Sequence, residues 1–190
     1  MIDIIKSAYQ HPLLSEEDLQ RIASAHRKEE MEKGHVLLGE GKVANEYYIL
    51  ESGLIRSFVH DYDGNEITTE FFVAGEIVIV PTSLFRRSPS QETLVAVTGS
   101  VLLKIGFAEF QELFHGIPGF SEWGRLWFTH QLFAMKQRSL DMITETATNR
   151  YLKLMRDKPQ IIQYVPLKQI ASFLGITDTS LSRIRKEIIP

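Results

Sequence analysis

The chain has 190 residues, of which 44% are hydrophobic and 24% charged, so it can bury one large core or two small ones. Its most apolar stretches, Ile77–Val80 and Val101–Ile105, are far shorter than the roughly 20 residues of a transmembrane helix, and its first residues do not resemble a secretion signal. The absence of cysteine excludes disulfides, zinc-thiolate and iron–sulfur sites, and a cysteine nucleophile. We therefore expect a cytoplasmic protein with no membrane partner.

The N-terminal part of the sequence predicts two short helices followed by many short strands. The second helix begins at Ser15, which three carboxylates follow in the first turn. Asp61–Asn65 indicates a hairpin, since Asp, Gly and Asn tolerate the backbone angles of a tight reversal. Short strands at regular spacing are typical of a sandwich or small barrel. The strands expected are His35–Leu38, Glu46–Leu50, Leu54–His60, Ile67–Phe72, Thr93–Thr98 and Val101–Lys104.

After Pro118, about thirty residues have the pattern of one long helix. Two apolar stripes follow it with a period of seven, and their offset of two residues places them on opposite faces, about 200° apart. We expect one stripe to pack on the β-domain and the other to meet a second copy of the chain; a helix enclosed in a single domain is the alternative. The dimerisation stripe contains Leu126, Phe133 and Leu140 and continues to Ala147, and the other contains Phe128, Met135 and Met142.

A change of composition follows the long helix. Thr146, Thr148 and Asn149 interrupt the stripes and predict the cap of a new helix, Arg150–Asp157. Residues 1–148 contain 13 Lys or Arg and 21 Asp or Glu, a balance of −8, whereas residues 149–190 contain 8 and 3, a balance of +5. A basic C-terminal unit suits a polyanionic partner, and a merely solvated basic face is the alternative.

Residues 167–187 have the pattern of a helix-turn-helix. Ile170 and Leu174 form an apolar pair on a first helix, and Leu181 and Ile184 form another on a second. Between the helices, Gly175 can take left-handed angles, Ile176 can fill the corner and Thr177 can cap the second helix. In this motif the second helix enters the major groove of DNA, while a helical hairpin that only packs against the body is the alternative.

The exposed side of the second helix carries the residues expected to contact DNA. Arg183 is the candidate for base recognition because its planar fork can bond both acceptors of guanine. Arg185, Lys186 and Lys168 are the candidates for phosphate contacts. The full predicted set is Lys168, Thr177, Thr179, Ser180, Ser182, Arg183, Arg185 and Lys186.

The order of a β-rich domain, a long helix and a helix-turn-helix resembles the Crp/Fnr superfamily of bacterial transcription regulators over nearly the whole chain. The most specific matches are Gly41–Gly53, which includes Tyr-Tyr-Ile-Leu-Glu-Ser-Gly, then Asp63-Gly64, Gly75-Glu76, Ser83–Phe85 and Thr177–Lys186. The resemblance implies an α+β protein with a double-stranded β-helix (jelly-roll, cupin-like) sensor domain at 1–118, a dimerisation helix at 119–147 and an all-α helix-turn-helix domain at 148–190. It also implies an allosteric link between an effector and DNA affinity.

The sequence departs from family members that bind cyclic nucleotides. Those have a Gly-Glu pair before the Leu-Phe element and an Arg-Ser/Thr-Ala segment after it, where this chain has Val80-Pro81 and Gln91-Glu92-Thr93. A phosphate beside Glu92 with no cation would be strongly disfavoured, so we expect no response to cyclic AMP. The equivalent pocket would hold another effector or none, and it is assigned to Pro81, Thr82, Ser83, Gln91, Glu92 and Thr93.

The sequence thus predicts a regulator that binds double-stranded DNA as a homodimer, with no cofactor and no metal. An unidentified small-molecule effector and RNA polymerase are further candidate partners. Family members usually continue with a β-wing, and because the sequence ends at Pro190 we expect weak non-specific DNA affinity.

Two alternatives belong to other functional classes. A cupin-type metal enzyme is disfavoured because the six histidines are scattered, and no Ser-His-Asp arrangement assigns catalytic residues. An effector-binding or protein-interaction module with a vestigial helix-turn-helix stays open, because Asp178 would repel phosphates and no wing is present.

Overall fold

The computed structural model describes residues 1–188, and within them the chain forms eight strands and nine helices. Ile189 and Pro190, the end of the predicted C-terminal domain, lie outside the described residues. The strands are β1 (Arg27–Met31), β2 (Val36–Leu38), β3 (Glu46–Ser52), β4 (Leu54–His60), β5 (Glu66–Val73), β6 (Ile77–Val78), β7 (Thr93–Ala96) and β8 (Ser100–Gly106). The helices are α1 (Ile2–Ala8), α2 (Glu16–Ala25), α3 (Pro81–Arg86), α4 (Phe107–Gly116), α5 (Pro118–Thr144), α6 (Ala147–Asp157), α7 (Pro159–Tyr164), α8 (Leu167–Leu174) and α9 (Asp178–Ile188).

The strands form two four-stranded antiparallel sheets that face each other. Their orders are β1-β8-β3-β6 and β2-β7-β4-β5. Inward-facing side chains such as Leu50, Ile55 and Leu102 fill the space between them. The predicted mixed α+β architecture with a β-sandwich, a long helix and C-terminal helices is confirmed, while the cupin-like detail stays a prediction.

Five elements were not predicted from the sequence, and one of them is α7, which begins at Pro159, just after the predicted end of the preceding helix. β1 consists largely of charged residues, because it is an edge strand with one face toward solvent. β6 has two residues, which is too short for an alternation pattern. The short helix α3 begins with proline, and α4 directly follows the last strand. The sequence patterns of the adjacent elements were more distinct than those of these two helices, so neither was recognised.

Local capping and turn signals in the sequence are confirmed. The Ser15 hydroxyl accepts a hydrogen bond from the Asp18 backbone N–H, and the Asp18 carboxylate accepts from the Ser15 N–H, which completes a capping box at α2. In the β4–β5 hairpin, the Asp61 carboxylate accepts from the backbone N–H groups of Asp63 and Asn65 at 2.9 and 2.8 Å. These side chains satisfy backbone donors that the turns leave without partners.

The long helix α5 has 27 residues and ends three residues before the predicted boundary at 147. Its end is set by Thr146, whose hydroxyl accepts from the Asn149 N–H and so already caps α6. α6 consequently begins at Ala147 rather than at Arg150. No helix within residues 1–188 is both long and apolar enough to cross a membrane.

A buried polar chain joins α1, α2 and β3. The Tyr9 hydroxyl lies 2.9 Å from His26 Nε2 and 2.9 Å from the Tyr47 hydroxyl, and His26 Nδ1 lies 2.8 Å from the Ile22 carbonyl. Because a carbonyl can only accept, Nδ1 must carry the proton, so Nε2 accepts from Tyr9 and Tyr9 accepts from Tyr47. Burial lowers the pKa of His26, although the hydrogen bond to Ile22 opposes this shift.

We predict that acidification destabilises the protein through His26. The pKa of His26 in the native protein lies below the ordinary value of 6.5. As the pH falls through about 6.5, His26 therefore becomes protonated in the unfolded chain but stays neutral in the native protein. Stability should fall with a slope of at most about 1.4 kcal/mol per pH unit between pH 6.5 and the native pKa. Urea unfolding from about pH 7.5 to 5.5 measures this slope. His26→Gln should flatten it, whereas His35→Gln, an exposed residue in the turn before β2, should leave it unchanged; an unaltered slope in His26→Gln would contradict the assignment.

Candidate functional site

Helices α8 and α9 form the predicted helix-turn-helix. Ile170, Ala171 and Leu174 of α8 are buried, as are Leu181 and Ile184 of α9. These five side chains belong to one apolar core, which agrees with the pattern in the sequence. The opposite side of α9 therefore faces solvent.

The corner between the two helices depends on Gly175. This residue has φ +67°, and its N–H donates to the carbonyls of Ala171 and Ser172. The Ile176 N–H donates to the Ala171 carbonyl at 3.0 Å, so α8 ends in a Schellman-type turn. The Thr177 hydroxyl then accepts from the Ser180 N–H at 3.2 Å and caps α9.

Most of the predicted DNA-contacting residues lie at the surface. Among the described residues, neither Arg183 nor Lys186 has a carboxylate within salt-bridge distance, so their charges are not neutralised by the protein. The exposed members are Lys168, Thr177, Thr179, Ser182, Arg183 and Lys186.

Ser180 and Arg185 differ from the other members because both are half-buried. Within residues 1–188, Arg185 Nε is shielded from solvent and has no hydrogen-bond partner. Part of this guanidinium is therefore less free for a phosphate than the sequence suggested. Arg183, two residues closer to the start of α9, has the more open position.

The helix-turn-helix unit packs on the outer face of the β2-β7-β4-β5 sheet. The ring of Phe71 in β5 lies 5.1 Å from that of Phe173 in α8. The Thr68 backbone N–H donates to the Ser172 hydroxyl at 3.1 Å, and that hydroxyl lies 2.9 Å from the Thr68 side-chain oxygen. Leu54 and Phe71 belong to the same apolar core as α8 and α9, so the two domains share buried surface.

A buried arginine lies beneath this contact. Arg56 of β4 is 2% exposed; its Nε donates to the Thr68 hydroxyl at 2.8 Å and its Nη1 donates to Glu66 at 2.5 Å. Thr68 in turn contacts Ser172, so a continuous polar chain runs from β4 to α8. Sequence analysis did not select Arg56, although its place between Leu54 and Phe58 on an alternating strand puts a charge on an apolar face.

Two further cations tie the domains together. Lys158, between α6 and α7, donates to the Phe71 carbonyl at 2.6 Å and to Glu76 at 2.9 Å. The Arg138 guanidinium of α5 lies 4.0 Å from the centre of the Phe173 ring. Burial lowers the pKa of Arg138, and the nearby Glu70 carboxylate opposes this shift without cancelling it.

Ser83, Glu92 and Thr93, three of the predicted effector residues, form hydrogen bonds within the protein. Ser83 is buried, and its hydroxyl accepts from the Ala44 N–H and donates to the Ser88 carbonyl. The Glu92 carboxylate accepts from the Ser57 hydroxyl at 2.6 Å, and Thr93 accepts from the Glu40 N–H. A nearby cavity of about 530 Å³ is lined by flanking residues, including Val80 and Leu94. The exposed members are Pro81, Thr82 and Gln91, and the assignment of all six stays a prediction.

Both apolar stripes of α5 are partly exposed in the single chain. Leu126, Phe133 and Leu140 are 42%, 66% and 40% exposed. On the other face, the Phe128 ring lies 5.4 Å from that of Phe85 in the sensor domain, and Met142 lies beside Gly175. Phe128, Met135 and Met142 are nevertheless 37%, 70% and 41% exposed, so the assignment of one stripe to the sensor domain and of the other to a second copy stays a prediction.

Residues 28–116 match the sequence model of the cyclic nucleotide-binding domain. The match spans α4 and all eight strands except Arg27, the first residue of β1. No curated protein sequence matches the chain. Within residues 1–188, no group of three or more His, Asp or Glu side chains is arranged to hold a metal ion.

Solved structures resemble almost the entire chain. The Catabolite Activator Protein of Thermus thermophilus is 21% identical, with a TM-score of 0.61 over 95% of this chain and 86% of that one. The c-di-GMP responsive global regulator CLP of Xanthomonas campestris is 16% identical, with a TM-score of 0.71 over 92% and 91%. FixK2 of Bradyrhizobium japonicum is 14% identical, with a TM-score of 0.69 over 86% and 84%. The resemblance to Crp/Fnr regulators is thus confirmed at the level of the fold.

We predict that Gly175→Ala lowers stability by about 1 to 2 kcal/mol, because a Cβ disfavours the left-handed conformation. The added carbon would also lie 2.6 Å from Met142 Cε, which can move. Gly175→Asn should lose less, since Asn tolerates these angles. Gly116→Ala is the control, because nothing lies within 4 Å of its added Cβ. Urea unfolding measures all three, and equal stability of Gly175→Ala and wild type would contradict the role of the corner.

Proposed function

We propose that the protein is a transcription regulator that binds double-stranded DNA with α9 in the major groove. The observation that carries the proposal is the outer side of α9, where Arg183 and Lys186 are exposed and have no carboxylate partner within residues 1–188, beside the turn at Gly175. A helix with free cations on one side and an anchored apolar face on the other fits the groove in both charge and shape. The fold shared with the regulators above supports the same role.

Each polar residue of the set would have a distinct contact. Arg183 would read guanine through its two parallel donors. Lys186 and Lys168 would pair with phosphates on either side, and Arg185 would reach a phosphate with its terminal nitrogens only. Hydroxyl contacts to the backbone or to base edges would come from Thr177, Thr179, Ser180 and Ser182.

The protein would act as a homodimer joined along α5. Leu126, Phe133 and Leu140 repeat every seven residues and leave a line of exposed apolar surface that a parallel copy could cover. Two recognition helices related by a two-fold axis would meet half-sites about 34–36 Å apart. The target would then be an imperfect palindrome.

The effector of this regulator would not be cyclic AMP. Val80-Pro81 and Gln91-Glu92-Thr93 occupy the places where a ribose-binding Glu and a phosphate-binding Arg would be needed. Glu92 is held by Ser57, so its carboxylate would repel a phosphate at this place.

We predict that DNA binding depends on the cations of α9. After selection of a target from a random DNA pool, Arg183→Ala should weaken binding by about 1–3 kcal/mol and relax the preference for one base. Lys186→Ala should weaken binding to all sequences and reduce the slope of log K against log salt by about 1. Arg185→Ala should reduce the slope less, because that side chain is half-buried.

Fluorescence anisotropy of labelled DNA at several salt concentrations measures these effects. Lys33→Ala, an exposed cation in the turn before β2, is the matched control and should change neither affinity nor slope. DNA affinity that is independent of salt and of Arg183 would favour an effector-binding or protein-interaction module with a vestigial helix-turn-helix.

We predict that Phe133→Glu and Leu140→Glu each produce a monomer, because each would bury an unpaired carboxylate between the two α5 helices. Sedimentation equilibrium measures the molecular mass in solution. Exposed Gln160→Glu, in α7, adds the same charge away from the stripe and should leave the dimer intact. A monomeric wild-type protein would overturn this arrangement.

A further inference from the structure

A cleft of about 670 Å³ lies where the sandwich, α5 and the helix-turn-helix unit meet. Its volume is typical of sites for small organic ligands. All three parts of the molecule contribute apolar side chains to its wall. These include Phe72 and Ile77 from the sandwich, Trp127 and Met135 from α5, and Phe173 and Leu174 from α8.

One of the cations of the cleft has no partner of opposite charge there. Four cations and four carboxylates line the cleft, and three cations contact at least one of these carboxylates directly. The fourth carboxylate, Asp157, pairs with Arg156, which does not line the cleft. Arg150 is the remaining cation. The four pairs within the cleft are Lys153–Asp141 at 2.5 Å, Lys158–Glu76 at 2.9 Å, Arg138–Glu70 at 3.4 Å and Lys158–Glu70 at 3.7 Å.

Arg150 contacts backbone carbonyls instead of a carboxylate. Its Nη1 donates to Glu145 at the end of α5, and its Nη2 donates to Leu174 at the end of α8, at 2.6 and 2.9 Å. Within residues 1–188, its Nε is shielded and has no partner. Arg150 therefore holds α5, α6 and α8 together while its charge has no directly bonded anion. A buried donor without an acceptor is a cost that an entering anion can remove.

We propose that this cleft binds a small amphipathic acid, with its carboxylate at Arg150 and its apolar body between Met142, Met135 and Phe72. The carboxylate would form charge-assisted hydrogen bonds to the guanidinium. The aromatic and sulfur-containing wall would cover an aliphatic chain or a flat ring. None of the six residues of the sequence-predicted effector pocket lines this cleft.

The cleft stays accessible in the proposed dimer. At about 100° per residue, Met135 and Arg138 lie about 160° and 140° around α5 from Phe133. Only Gln137 and Asp141, about 40° and 80° away, bring the cleft toward the proposed dimer interface. Pairing through Leu126, Phe133 and Leu140 would therefore cover the other side of the helix.

Binding would also influence the helix-turn-helix. A ligand that contacts the sandwich, α5 and Arg150 together favours the arrangement in which these parts are adjacent. The acid would therefore change DNA affinity, and DNA would change affinity for the acid by the same factor. This consequence rests on the proposed function, whereas binding of the acid does not.

The test compares acids with neutral molecules of the same shape. Isothermal titration of the full chain uses 1-naphthaleneacetate against 1-naphthaleneacetamide, and decanoate against decanamide. We expect each acid to bind with a Kd of about 1 mM or tighter, and about tenfold to a hundredfold better than its amide. Equal binding of acid and amide, or no binding of any of the four, would overturn the proposal.

Variants locate the bound acid. Arg150→Gln should abolish the preference for the acid, and Arg150→Lys should restore part of it. Since Arg150 also anchors two helix ends, Met135→Trp provides a second variant, which fills the cleft without touching that anchor and should block both acid and amide. Ser139→Trp is its control, because this exposed residue of the same helix does not line the cleft, lies about 120° around α5 from Phe133 and should leave binding unchanged. Acid binding that survives Met135→Trp would place the site elsewhere.

A DNA titration with and without the acid separates the two proposals. A changed DNA affinity supports both. Acid binding to a protein that has no DNA affinity would retain the cleft and refute the regulator. DNA binding without acid binding would support the regulator and refute the proposal for the cleft.

Discussion

The packing of α8 against β5 is the contact on which the arrangement of the molecule depends. Phe71 and Leu54 would be apolar residues on the outer face of a sandwich if the C-terminal helices did not cover them. Covering them extends one core through both domains, and the chain from Arg56 through Thr68 to Ser172 fixes the register of the contact with directional hydrogen bonds. Apolar burial thus provides attraction, and the buried polar chain provides orientation.

The elements that the sequence predicted well are those set by local chemistry. Ser15 and Asp18 form a capping box, Asp61 closes a hairpin and Gly175 takes the left-handed turn, and each effect involves residues only a few positions apart. The long helix has a repeating pattern over many turns. β1 gave no such signal, because the charged side chains of an edge strand resemble those of a loop.

The candidate site could be predicted only in part, for the same physical reason. The corner and the outward cations of α9 follow from helical spacing, and the structure bears out the exposure of Arg183. The contact between Arg56 and Thr68 depends on strand pairing, and that between Thr68 and Ser172 spans 104 residues. The half-burial of Arg185 and the cleft beside Arg150 depend on how separate helices meet, which periodicity within one helix does not encode.

The break between α5 and α6 contains two residues, Glu145 and Thr146. The four backbone torsions of these residues therefore determine the orientation of the C-terminal helices relative to α5. The Glu145 carbonyl accepts a hydrogen bond from Arg150, and the Thr146 hydroxyl accepts one from the Asn149 N–H. These two hydrogen bonds restrict the torsions of the connection between α5 and α6. In the proposed homodimer, the torsions of these two residues would set the distance between the two recognition helices, although neither residue would contact DNA.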